Sequence, residues 1–291
     1  MTPLLSKLGL GSSQFVPGGS TPPRGRTPEA EARDILSIAG RSGLGVFDAS
    51  GSWGRAETLL GDLMPRPVPF RVVIGSVRPD RGPDFVEGEA RASLARLAIE
   101  RADAIVVPMV SDLFGPQGEA MWTRLRQMKD AGLFKRIGVA VHASDDPVGV
   151  ARRFRPDLIQ APGSLLDQRM LADGTLERIA GMGIEVQLRS IFLNGLLFLP
   201  IDRIPGQLKS ATRGLSKVRR MIAEGRSDPL QAALGFALSR PEASTVLVNV
   251  HSAAELSAVI AAASSPPPDL DWNEMALDDE VVLDPRRWAA A

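Results

Sequence analysis

The chain has 291 residues, 44% of them hydrophobic, enough to bury one large core, and its 34 basic and 34 acidic side chains cancel to a formal net charge of zero. That balance offers no electrostatic basis for binding nucleic acid or an anionic membrane, and the absence of cysteine excludes disulfides, thiolate catalysis and Cys-ligated zinc. Tyrosine is absent too, which removes the phenol as a proton donor, and two histidines, His142 and His251, are too few for a His-rich metal site.

KLGLGS (7–12) reads as a first strand, followed by a Ser/Gly/Pro-rich connection over 13–27. Thr27-Pro28-Glu29-Ala30 opens a helix, with proline at the first helical position and acids in the first turn. Ala32, Ile35, Leu36 and Ala39 continue it at helical spacing, and Gly43 stops it. A second strand, 45–47, ends at Asp48, and a helix over 55–63 carries Leu59, Leu60 and Leu63 on one face.

The alternation then repeats. Strands are expected at 71–76, 104–107, 136–141, 158–160, 184–188 and 244–248, and helices at 85–97, 119–131, 147–154, 175–182, 228–238 and 253–263. The segment 194–227 is longer and less regular, and its basic cluster Lys217, Arg219 and Arg220 reads as one exposed helix face. A Pro-rich linker at 265–268 leads into a tail containing DPRRW.

Eight apolar strands alternating with helices is the count of a closed (β/α)8 TIM barrel, an α/β fold, over a single domain 1–291 with a C-terminal tail from about 265. Apolar strand runs suit a parallel sheet covered on both faces. The alternative, an open doubly wound sheet, lacks its G-x-G-x-x-G turn after the first strand. Apolar runs such as 191–200 fall well short of the roughly 20 residues of a membrane span, and the N-terminus has no signal-peptide pattern, so a cytoplasmic location is expected.

KLGLGSSQF, VFDASGSWGRAETLLG, SLARL, KDAGLFKRIGVAV, QAPGSLLDQRML and RSIFLNGLL, taken in order, resemble the aldo-keto reductase superfamily. The last two, with LDPRRW, are most similar to the branch associated with polysaccharide and sugar biosynthesis. The resemblance implies NADP(H) lying across the C-terminal ends of the strands and hydride passing to a carbonyl. In that family a tyrosine gives the proton, a lysine lowers its pKa from about 10, an aspartate holds the lysine, and a histidine orients the carbonyl.

Carried across residue by residue, the aspartate matches Asp48, the tyrosine falls on Trp53, the lysine on Gly75 or Val77, and the histidine on Pro108. An indole N–H donates a hydrogen bond but does not ionise usefully, so Trp53 packs on a ligand rather than replacing the phenol. Asp48 without its lysine reads first as a carboxylate capping the loop. His142 and His251 lie just past strands five and eight. Either imidazole could act as an acid near neutral pH, against the plainer reading of a satisfied loop histidine. Arg78 could polarise a carbonyl, or be a solvated loop arginine.

For the cofactor, the resemblance implies contacts from Gln160, Ser190 and Gly195 near nicotinamide and pyrophosphate, and from Asn249, His251, Ser252 and Glu255 near adenosine. The aromatic often stacked on nicotinamide is replaced near Arg189. The helix start at Ala253 could receive a phosphate through its backbone, although no arginine is placed to pair with a 2′-phosphate. Two functions follow. One is an NADP(H)-linked oxidoreductase acting on a small, sugar-derived carbonyl with an unorthodox proton donor such as water or His142. The other is a non-catalytic barrel binding a small ligand or a protein partner.

Overall fold

The computed structural model describes residues 5–15, 27–51 and 54–288. Its strands are β1 (Leu8–Gly11), β2 (Val46–Asp48), β3 (Arg71–Gly75), β4 (Ala102–Val107), β5 (Phe134–Ala140), β6 (Leu158–Pro162), β7 (Glu185–Arg189) and β8 (Ala243–Val248). Each pairs in parallel with the next, and β8 returns to β1 with Leu8 opposite Val246 and Leu10 opposite Val248, so the sheet closes into the expected (β/α)8 TIM barrel. Closure removes every sheet edge and sends all eight strand C-termini to one rim.

Helices α1 (Glu29–Ser42), α2 (Arg55–Leu63) and α3 (Pro83–Arg96) follow the first three strands, and α4 (Val110–Phe114) and α5 (Gly118–Asp130) follow the fourth. Next come α6 (Pro147–Phe154), α7 (Arg169–Ala172), α8 (Thr175–Gly181), α9 (Thr212–Glu224), α10 (Pro229–Leu238), α11 (Ala253–Ser264) and α12 (Glu280–Leu283). In α1 the buried residues are Ala32, Ile35, Leu36 and Ala39, the stripe read from the sequence. Gly43 ends that helix at φ 75°, where its N–H reaches the Ala39 and Gly40 carbonyls, a left-handed cap that a side chain would strain.

The barrel interior is small and aliphatic. Val46, Val73, Ala104, Val106, Ala140, Leu158 and Leu247 form one cluster, separate from the larger core between sheet and helices. Glycines make room for it: a Cβ on Gly138 would lie 2.5 Å from Leu158 Cδ1. A third cluster joins Leu165, Leu193, Leu196, Leu208, Leu215, Ile222, Met275 and Val282, which binds the segment after β7 to the tail.

That cluster accounts for what the periodicity of 194–227 does not show. The segment holds α9, whose Leu215, Val218 and Ile222 are buried in that cluster, among residues of the tail and of α10. Of the basic cluster there, Lys217 and Arg220 are exposed, as expected of one helix face, and Arg219 is half-buried. Arg219 turns in to the Leu197 carbonyl at 3.1 Å and to that of Leu199, while Lys217 pairs with Glu274 at 2.6 Å. Two short helices, α4 and α7, fall where the sequence pattern is too brief to announce them. No helix is long and apolar enough to cross a membrane among the described residues.

Candidate functional site

Asp48 ends β2 with its side chain turned into the barrel mouth, 7% exposed. Its Oδ1 accepts from the Ser50 N–H at 2.9 Å, so the loop-capping reading of this carboxylate holds. Its Oδ2 accepts from Gln160 Nε2 at 2.9 Å. Burial raises the Asp48 pKa above its ordinary value, an effect the Ser50 and Gln160 hydrogen bonds and the charge of Arg189 only partly offset.

Gln160 therefore faces inward. Besides Asp48, its Nε2 reaches Gln187 Oε1 at 3.2 Å, and Gln187 Nε2 donates to Glu185 Oε1 at 3.0 Å. Glu185 in turn receives Arg136, which also bonds Asp103. A chain of polar side chains thus runs through an otherwise aliphatic barrel, from Asp48 at the mouth to Arg136 at the other end. The Gln160 amide N–H groups are thus engaged within the protein, by Asp48 and Gln187.

Arg189, the last residue of β7, is the mouth's main cation. Its Nη2 donates to the Val141 carbonyl at 3.0 Å and sits 3.0 Å from His142 Nε2, while Nε is buried without a hydrogen-bond partner. Burial lowers its pKa to about 10, which still leaves it charged at neutral pH, and the negative charge of Asp48 works in the opposite direction.

His142 lies between Arg189 and Asp145, with Nδ1 3.3 Å from Asp145 Oδ2. An imidazole that accepts from arginine through Nε2 must carry its proton on Nδ1, which assigns the tautomer. Burial, with the Arg189 and Arg286 charges added, lowers its pKa to about 4 against the opposing pull of Asp145 and Asp284. The expectation of an acid near neutral pH is thereby corrected: this imidazole is neutral there. Arg78, read either as able to polarise a carbonyl or as a solvated loop arginine, is largely exposed and pairs with the buried Asp112 at 3.2 Å. Gly75, Val77 and Pro108 bring no titratable group to the rim. Trp53 lies outside the described residues.

The tail closes one side of the mouth. Asp284 accepts from Arg286 Nη2 at 2.7 Å, which holds its pKa at about 2, and Arg286 Nη2 also reaches Ser144 Oγ at 3.1 Å. DPRRW thus fastens the chain end to the loop after β5. Beneath it is a cavity of about 380 Å³ lined by His142, Arg189, Ser190, Asn194, Asp284 and Arg286 among others.

A second cavity, of about 360 Å³, lies on the other side of the β7 loop. Ser190, Gly195, Asn249, His251 and Glu255, five of the seven residues expected at a cofactor, line it together. Ser252 does not line it; its Oγ accepts from the Glu255 N–H at 3.1 Å and caps α11. Asn249 lies across Gly11, where an added Cβ would come within 2.3 Å of its Oδ1. Ser190 and Asn194 border both cavities. Between them the backbone is held at positive φ, 59° at Ser190, 47° at Leu193 and 50° at Asn194, strain of the kind that concentrates at binding loops.

The expectation that the α11 backbone could take a phosphate is overturned. The Ala253 N–H donates to Glu31 Oε2 at 2.7 Å, so a carboxylate from α1 already holds that place. Sequence reasoning missed Gln187 as an interior residue and the partnership of Arg189 with His142. One signal for both lies in EVQLR: polar residues at alternating positions of a buried strand point to one face, here the barrel interior. Glu31 had none, being 222 positions from its partner.

The aldo/keto reductase family model matches residues 7–277. The chain belongs to the aldo/keto reductase family. No curated protein matches it. Among solved structures, the holo form of aldo-keto reductase AKR11C1 from Bacillus halodurans is 19% identical, with a TM-score of 0.73 over 93% of this chain and 90% of that one. PA4992 of Pseudomonas aeruginosa, itself assigned as an aldo-keto reductase, is 17% identical, with a TM-score of 0.66 over 89% and 90%. Identities this low show a shared fold. Membership in the aldo/keto reductase family implies an NAD(P)-linked oxidoreductase and makes the strand C-termini the place to look for its cofactor.

Proposed function

We propose that the chain binds a nicotinamide dinucleotide across the C-terminal ends of β5 to β8 and acts as an oxidoreductase on a carbonyl/alcohol pair. The observation that carries this is the pair of cavities meeting at Ser190 and Asn194. An extended ligand with two ends and a charged middle matches that shape, and each cavity falls within the roughly 300–1,000 Å³ of small-molecule pockets. Ser190, Asn194 and Gly195 would hold the pyrophosphate, and Asn249, His251 and Glu255 the adenosine side. A bound nicotinamide supplies or accepts hydride.

The chain's own residues govern the rest. Arg189 offers a guanidinium charge toward a carbonyl or carboxylate oxygen of a small polar substrate, a sugar-derived carbonyl being the class suggested by the sequence branch. Asp48 keeps its proton to higher pH than an ordinary carboxylate, so proton exchange with water at this mouth has a carboxyl group to run through in place of a phenol. His142, neutral and hydrogen-bonded at both nitrogens, positions Arg189.

A second reading, a non-catalytic barrel that keeps the pocket as a binding site, is supported by Gly75 and Pro108, which leave the family's lysine and histidine without substitutes at those positions. Titration of the protein with NADH and NADPH, followed by nicotinamide fluorescence and thermal shift, tests the binding common to both cofactors. No response to either at millimolar concentration would sink the oxidoreductase reading. With binding established, turnover of a carbonyl panel that falls in Asp48→Asn and survives in His142→Ala supports catalysis. Binding without turnover selects the second reading.

A further inference from the structure

Arg169, Arg189, Arg286 and Arg287 all line the first cavity, and all but Arg189 are paired with a carboxylate. Arg169 forks onto Asp167 at 2.8 and 2.9 Å, Arg286 onto Asp284 at 2.9 and 2.7 Å, and Arg287 reaches Glu280 at 3.4 Å. Every aspartate and glutamate of the chain lies among the described residues, and none of them pairs with Arg189. Its acceptors there are neutral: Nη2 meets the Val141 carbonyl and His142 Nε2, each at 3.0 Å. Nε is buried with no acceptor, and Nη1 makes no hydrogen bond among the described residues. Asp48 acts on this guanidinium only through its charge at longer range. The remaining acid of the lining, Asp173, is exposed and accepts from the Thr175 N–H at 2.9 Å.

We propose that the first cavity is a carboxylate subsite anchored by Arg189, and that the carbonyl compound this chain acts on is itself an acid, an oxo acid or a sugar acid. The subsite stands on the cavity alone; the role of its occupant as substrate rests on the oxidoreductase reading above. A cation withdrawn from water without a counter-charge is costly, and a ligand that brings one negative charge offsets that cost. A single unpaired guanidinium matches a carboxylate in charge better than it matches a phosphate dianion, and its planar fork matches the carboxylate edge in shape. His142 holds the fork in place before any ligand arrives, because its Nε2 engages Nη2 while Nδ1 lies 3.3 Å from Asp145. Leu193 and Leu283 also line the cavity and offer apolar surface to a short carbon skeleton. A volume of about 380 Å³ accommodates a small acid beside one end of a dinucleotide.

The test compares acids with their uncharged amides by titration calorimetry on the full chain, with and without NADH. The pairs are D-glucuronate with D-glucuronamide and pyruvate with pyruvamide. The proteins are the wild type, Arg189→Gln and Arg189→Lys, each checked for folding by thermal unfolding, and NADH affinity is read in parallel by nicotinamide fluorescence. In at least one pair the wild type should bind the acid at least about tenfold tighter than the amide, a difference worth about 1.4 kcal/mol. Arg189→Gln should abolish that preference, and Arg189→Lys, which keeps the charge without the fork, should retain part of it. The wild-type comparison needs no variant to fold: acids that bind no better than amides in both pairs overturn the inference. A preference that survives in folded Arg189→Gln overturns it too. Loss of NADH binding in Arg189→Gln with no preference for acids in the wild type assigns the guanidinium to the cofactor pyrophosphate instead, which also overturns it. Acid binding that depends on Arg189 in a protein that never binds NADH keeps the subsite and overturns the oxidoreductase reading alone.

Discussion

Acid should act on this fold through His142 before it acts through the carboxylates. The imidazole pKa falls from 6.5 to about 4 because the ring is buried beside Arg189 and Arg286. As pH drops through 6.5 the unfolded chain takes up a proton, while the folded chain holds out until about 4. Stability is therefore intact above that window and lost across it. From the two pKa values, the loss relative to neutral pH is about 2 kcal/mol at pH 5 and about 3 kcal/mol at pH 4. Asp284, held at about 2 by Arg286, loses its contribution only between 3.8 and about 2 and does not overlap most of this range. The assay is urea unfolding of wild type and His142→Asn at pH 7.5 and pH 5, with the wild type losing about 2 kcal/mol more. NMR titration of the imidazole gives an independent reading, and with two histidines in the chain the variant assigns the signals. Arg189→Met should move the His142 pKa upward by removing an adjacent charge. Equal acid sensitivity in wild type and variant, or a His142 titration near 6.5, would refute the reasoning and return this residue to the candidate proton donors.

Gln160→Leu removes the donor that serves both Asp48 at 2.9 Å and Gln187 at 3.2 Å, leaving a buried carboxyl short of a partner. Stability at neutral pH should drop by about 2 kcal/mol. The drop should be smaller at pH 5, where Asp48 takes up a proton more readily, and urea midpoints at the two pH values check this. Gly61→Ala would set a Cβ 2.2 Å from the Arg96 carbonyl oxygen, backbone that cannot swing aside as a side chain can. A loss of about 1–3 kcal/mol in thermal or urea unfolding is expected, and a change within about 0.5 kcal/mol would show that α2 and α3 have slack between them.

Chain order and periodicity alone determined the barrel. Apolar strands such as AIVV (104–107) and STVLV (244–248) repeat at intervals filled by amphipathic helices, and that pattern has one closed solution with a single rim. It also determined where the rim would be, since Asp48, His142, Ser190 and Asn249 each follow a strand. The absence of tyrosine was equally plain from residue identity. What periodicity does not encode is which distant side chains share a buried space. The path from Asp48 through Gln160 and Gln187 crosses three strands, and burial decides its proton affinity, so the chemistry of that carboxyl exists only in the closed barrel. In sequence His142 was a candidate acid only by its place just past strand five, against the plainer reading of a satisfied loop histidine. In the fold its neighbours are Arg189 and Arg286, and their charges with the loss of water hold it neutral. Glu31 at the start of α11 is the sharpest case. A helix N-terminus that reads as vacant in sequence is occupied by a residue 222 positions away, because closing the barrel sets the first helix beside the last.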